Sequence, residues 1–210
     1  MPRSGRRAAL LACCALSAGG LSFLVLGERR GRTTTTTQTT PATAARVPVA
    51  PAGPQPRLPD GWRRVRDRDG GFTVGLPPGW SARRSDGTLV LRSRDRTLAI
   101  ALGADRSAPG RVVAPTAYAR EAIASLRGYR RLRSTAPRRL EATPYPAAVA
   151  TATGTFRQTG VRQAITLVAL QRRGAATFTL LAFRSARTPR EAAKRVVGRV
   201  VESLHSERPA

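Results

Sequence analysis

A hydrolase triad needs a base beside its nucleophile, and the only histidine in this chain is His205. It stands at the end of the last helical pattern, where a lone histidine reads as a cation favoured by the helix dipole. Both cysteines, Cys13 and Cys14, fall in an apolar N-terminal run, so the remainder of the chain offers neither a disulfide nor a thiolate metal site. The patterns Gly-x-Ser-x-Gly, Gly-x-x-x-x-Gly-Lys and His-Glu-x-x-His are all missing. Asp67-Arg68-Asp69-Gly70 has the outline of a calcium loop, but counting from Asp67 the fifth position is Gly71 and the twelfth is Pro78, where ligands are needed. These residues read as a turn. From Leu58 onward 11 acids are scattered without a local pair that spacing alone can set across a cleft, so two-carboxylate hydrolysis stays only formally open. The expectation is a non-enzyme with no catalytic residue, cofactor or metal.

What the chain has in excess is positive charge. It carries 37 Lys plus Arg against 12 Asp plus Glu, a net charge of +25, and from Leu58 onward 29 basic residues face 11 acidic ones, a net +18. Lys194 is the sole lysine and asparagine is missing altogether, a skew expected of a GC-rich coding sequence, so arginine in place of lysine carries no message of its own. The shortage of acids does carry one, because a cationic surface attracts polyanions. The residues placed to form a patch are Arg130, Arg131, Arg133, Arg138 and Arg139 in one connection, with Arg172 and Arg173 at a turn. The competing reading is a solvated basic face without a dedicated ligand. Arg127-Gly128-Tyr129-Arg130-Arg131 begins like an RNA-recognition signature, yet Arg130 takes the place of a small residue, and a helix end with its glycine cap explains the same residues. The aromatics Phe72, Trp80, Phe178 and Phe183 sit in core patterns rather than among arginines, which argues against nucleic acid.

The elements that must position these cations start from Gly-Gly-Phe-Thr-Val-Gly-Leu-Pro-Pro-Gly-Trp at residues 70–80. Phe72, Val74 and Leu76 alternate with Thr73 and Gly75, the period of a strand with one buried face, and Pro77-Pro78-Gly79 ends it in a turn that returns Trp80 toward the core. Asp86-Gly87 signals a hairpin, and Leu89, Leu91 and then Leu98, Ile100 and Leu102 mark two antiparallel strands joined at Arg94-Asp95-Arg96. Thr116 is expected to cap a helix with Tyr118, Ala119, Ala122, Ile123 and Leu126 on one face, ended by Gly128. An Arg-rich connection follows over residues 129–146, then strands over 149–156, 161–171 and 175–183, with Arg172-Arg173-Gly174 as the turn between the last two. Thr188-Pro189-Arg190-Glu191 reads as a capping box with proline first in the helix, and Ala193, Val196, Val197, Val200 and Leu204 form its apolar stripe. The fold class expected is α+β, a largely antiparallel sheet with a mid-domain helix and a C-terminal amphipathic helix packed on it.

A short strand followed by Leu76-Pro77-Pro78-Gly79-Trp80 near the start of such a domain resembles the opening of the PsbP-like fold. That fold is shared by an extrinsic photosystem II subunit, a Ran-binding nuclear import factor and many small secreted or lipid-anchored bacterial proteins. The resemblance implies docking on larger membrane assemblies and supplies no active site.

Ahead of the domain, residues 1–7 form a basic tail and residues 8–27 carry no charge, which at 1.5 Å per residue matches a hydrocarbon layer of roughly 30 Å. They read as a transmembrane anchor, in preference to a signal peptide cut after Gly20 or a lipobox at Leu10-Leu11-Ala12-Cys13. Arg29, Arg30 and Arg32 follow the span as Arg3, Arg6 and Arg7 precede it, so the positive-inside rule is nearly tied. The Thr/Pro-rich linker at 28–59 breaks the tie, because such a tract stays extended and resembles the stalks of exported domains. The expected order is therefore anchor, linker, α+β domain at 60–206 and a tail at 207–210, with the N-terminus cytoplasmic and the domain outside. Partners expected are the cell membrane through the anchor, and anionic envelope polymer or lipid headgroups through the basic surface. A docking subunit of a membrane protein complex is the alternative, and a nucleic-acid binder requires the reverse orientation.

Overall fold

The computed structural model describes residues 55–105, 113–141, 143, 145–172 and 176–206. The anchor expected at 8–27, the linker up to residue 54 and the tail at 207–210 lie outside the described residues. Among those described, no helix is long and apolar enough to cross a membrane.

The structure begins with a hairpin of β1 (Arg63–Asp67) and β2 (Phe72–Leu76), paired from Arg63↔Leu76 to Asp67↔Phe72. All five residues of β2 are buried, so the expectation of one covered face is corrected. Phe72, Val74 and Leu76 enter the main core, while Gly75 faces Leu58, Trp62 and Ser203 so closely that an added Cβ would stand 2.9 Å from Leu58 and 3.0 Å from each of the others. The absent side chain at Gly75 is what lets the helix end approach, and the Gly75 amide donates to the Ser203 hydroxyl at 2.8 Å. Gly79, at φ 73°, completes the turn after the double proline, and Trp80 returns half-buried against the core.

Next come β3 (Ser81–Ser85) and β4 (Thr88–Arg92), joined by Asp86 and Gly87 at φ 49° and 78°, the two positive angles a tight hairpin turn requires. β5 (Leu98–Asp105) leads to α1 (Pro115–Ala124), whose N-cap is Ala114 rather than Thr116. Proline fills the first helical position because the amide it lacks has no partner there, so the helix starts one residue ahead of the threonine. The Arg-rich connection is corrected to two strands, β6 (Tyr129–Ser134) and β7 (Arg138–Leu140). Then follow β8 (Ala147–Phe156), β9 (Arg162–Arg172), β10 (Ala176–Ser185), α2 (Arg190–Ser203) and β11 (His205–Ser206).

Two antiparallel sheets result. The large one runs β3-β4-β5-β10-β9-β8-β6 with β7 also on β8, and the small one runs β1-β2-β11. Alternation along the central strands feeds two cores. Ile100, Leu102, Val168, Leu170, Phe178 and Leu180 meet the small sheet and α2, whereas Ala101, Ile165, Leu167, Ala169, Leu181 and Phe183 meet α1. The Phe72 and Phe178 rings meet edge to face at 5.8 Å across the first core. The architecture is α+β, with a mid-domain and a C-terminal helix as expected, but α1 ends at Ala124 with Ser125 as its C-cap, short of Leu126 and of the Gly128 expected to end it. Ala193, Val197 and Val200 of α2 are buried as its stripe requires. The capping box is corrected: the Thr188 hydroxyl bonds to Thr97 across the molecule, Pro189 is the N-cap, and no side chain caps the helix.

Candidate anion-binding surface

β6 and β7 are edge strands, both laid along one side of β8. An exposed edge presents unpaired amides to any other chain, and arginines there blunt such pairing while keeping the edge in water. Of the seven arginines the sequence singles out, the structure brings five to this one edge. Arg130, Arg131 and Arg133 lie on β6, Arg138 and Arg139 on β7, and all five are exposed. Arg172 closes β9 opposite Ala176, and Arg173 lies outside the described residues.

The edge is anchored from inside. Tyr129 and Phe156 meet edge to face at 5.5 Å, and the Tyr129 hydroxyl donates to the buried Gln163 Oε1 at 2.6 Å. Arg157 Nε donates to the Tyr129 carbonyl at 3.1 Å. The register then slips between Arg130 and Arg133, where Arg131 takes φ 51°, a β-bulge of the kind that re-aims side chains.

The charge is one-sided. β6 to β10 contain eight arginines and not a single aspartate or glutamate. The ion pairs of Arg84, Lys194 and Arg199 lie away from the edge, and among the described residues none engages its five arginines. With no carboxylate opposite them, these guanidinium groups keep their donors for solvent or an anion. Sequence reasoning missed Arg162 on β9, which pairs with Thr155 across β8 from the edge, and Arg184 on β10, one strand further in; the only signal for them was the same shortage of acids.

Other titratable groups are tied into the fold. His205 is corrected from a helix-end cation to a buried strand residue of β11 paired with Thr73, because α2 ends at Ser203 and the chain turns to extend the small sheet. Asp67 is buried under the first hairpin, where its Oδ1 accepts from the Gly70 amide at 3.1 Å and from Arg84 at 2.7 Å. Arg84 also reaches Asp69 at 2.6 Å. The segment from Asp67 to Gly70 is thus the turn its residues suggest, and no metal-holding group of three acids, histidines or cysteines exists among the described residues. Burial pushes the Tyr118 phenol above its ordinary value, and the Thr179 hydroxyl donates to it at 2.9 Å.

No protein-family model matches the chain, and no curated protein matches it either. Solved structures do. The solution structure of cyanobacterial PsbP (CyanoP) from Synechocystis sp. PCC 6803 superposes with a TM-score of 0.53 at 14% identity, over 69% of this chain and 92% of that one. The Ran-binding protein Mog1p of Saccharomyces cerevisiae gives 0.48 at 10% identity, over 70% and 96%. LpqN of Mycobacterium tuberculosis, involved in cell envelope biogenesis, gives 0.41 at 13% identity, over 76% and 85%.

Proposed function

Taking as premise that this chain has a PsbP-like fold, we propose that it is a non-enzymatic binding module at the cell envelope. A fold specifies no activity, so the reading rests on the surface. The observation that carries it is the edge of five exposed arginines bordering a group of strands without acids. Residues 8–27 tether the domain to the membrane, residues 28–59 hold it away from the bilayer on the outer side, and the basic edge engages anionic envelope material. The non-enzymatic part of the reading is supported by the burial of His205 in a strand and of Asp67 in an ion pair, which leaves neither facing a substrate.

The test is topological. An enzyme reporter active only outside the cytoplasm is fused after Ala210, with protease accessibility of the 28–59 segment as control. An active reporter is expected. A silent reporter on a well-expressed fusion would place the cationic domain in the cytoplasm and end the envelope reading.

A further inference from the structure

Strand faces alternate with every residue, so an unbroken β6 would send Arg130 and Arg133 to opposite faces. The bulge reverses this. Arg130 stands opposite Thr155 and Arg133 opposite Thr153, two positions apart on β8 and therefore on one face. Beyond them the Thr135 amide donates to the Thr151 carbonyl at 2.8 Å, and the two hydroxyls lie 3.0 Å apart. Arg138 then pairs with Val149. The edge thus carries Arg, Arg, Thr, Arg in successive rows about 6.8 Å apart. This is the face away from α1, because the alternate residues Ala148, Ala150 and Ala152 pack in the α1 core.

The rows continue inward. Thr155 pairs with Arg162, Thr153 with Ala164, Thr151 with Thr166, and Ala164 with Arg184. Arg162, Thr151 and Thr153 are exposed, and Thr155, Ala164, Thr166 and Arg184 are half-buried, so the small sheet and α2 leave this corner of the large sheet open. Arg184 is engaged through its bond to the Thr188 carbonyl at 2.7 Å, while Arg130, Arg133, Arg138 and Arg162 have no carboxylate partner among the described residues.

We propose that this corner is a docking face for a linear polymer bearing phosphate groups, which lies along the Arg130, Arg133 and Arg138 ladder. The inference rests on the reading of the domain as an anion-binding module and assigns that binding a place and a ligand class. Each internal phosphate of such a polymer carries two charged oxygens and two bridging oxygens, so an arginine fork and a threonine hydroxyl can meet the same group. A bilayer is disfavoured because interfacial binding needs an apolar face, and the exposed large hydrophobics among the described residues are Val113 and Val161 alone. Single-stranded nucleic acid is disfavoured because Tyr129 and Phe156, the aromatics beside the Arg130 row, are buried in the α1 core.

The experiment uses the full chain in detergent and long-chain inorganic polyphosphate as probe, titrated at low and high salt, with phosphatidylglycerol vesicles as a parallel ligand. Arg130→Gln/Arg133→Gln/Arg138→Gln is compared with Arg187→Gln/Arg190→Gln/Arg195→Gln, an equal charge change at exposed positions in and just ahead of α2. The ladder variant should bind polyphosphate at least about 10-fold more weakly, with the salt slope reduced by about 2, while the control stays within about 2-fold. Should the triple variant fail to fold, Arg133→Gln alone should weaken binding by about 3-fold. Equal losses in ladder and control variants would overturn the face and leave the anion-binding reading standing. Binding to vesicles without binding to polyphosphate would overturn the polymer. Binding to neither would bring down both the face and the reading beneath it.

Discussion

Asp67 is the residue on which the first hairpin is fastened to the large sheet. Its side chain is 1% exposed and that of Arg84 is 35% exposed, so the carboxylate is nearly dry while its partner still touches water. Removing the charge strands Arg84 without its inner partner, but solvent and Asp69 soften the loss. Asp67→Asn should therefore cost about 1–3 kcal/mol, below the range for fully buried pairs; an unchanged urea midpoint would refute the role. Asp95 makes the opposite case, a nearly exposed carboxylate shaped by its turn. The Ser93 hydroxyl donates to it at 2.6 Å, and Thr97 adds its amide at 3.1 Å and its hydroxyl at 2.8 Å. These bonds, Ser93 foremost, hold its pKa below the ordinary 3.8. A depressed carboxylate contributes stability that is present above the ordinary pKa and lost as pH falls through the lower folded one. An NMR titration should show this low value, and Ser93→Ala with Thr97→Val should raise it; a titration curve that ignores both changes would remove the hydrogen-bond explanation.

At the scale of elements, β6 and α2 show how far pattern carries. The stripe of α2 was legible because its burial repeats at three- and four-residue spacing, and Val197 is 8% exposed within the main core. Val197→Asp buries a charge with no partner and should abolish the cooperative thermal transition; a melting temperature equal to the wild type would contradict the packing. β6 was illegible because YRRLRS shows neither a clean alternation nor an apolar run, and an edge strand needs few buried residues to exist. Its bulge depends on Arg131 at φ 51°. Arg131→Val should cost about 1–2 kcal/mol, since a β-branched residue resists that region, whereas Arg131→Gly should be tolerated. If both variants melt together with the wild type, the bulge is not a fixed feature of the edge.

In the whole molecule, the large sheet divides the interior in two, with α1 on one side and the small sheet with α2 on the other. Because the small sheet covers only part of its side, one corner of threonines and arginines is left open to solvent. The sequence alone determined the α+β class, the two helices, the hairpin turn at Asp86-Gly87, the long strands β8 to β10 and the excess of cations. Each of these is written in local periodicity, turn chemistry or composition, which act over a few residues or over the chain as a sum. It could not place Arg130, Arg133, Arg138 and Arg162 on one face, since their spacing has no strand period and Arg162 arrives by way of β8. Nor could it bury His205 or close both sides of β2, since each needs segments more than a hundred residues apart to meet. Tertiary structure decided those features because strand register, a bulge and the reach of the covering layer are set by long-range pairing, and no local pattern encodes them.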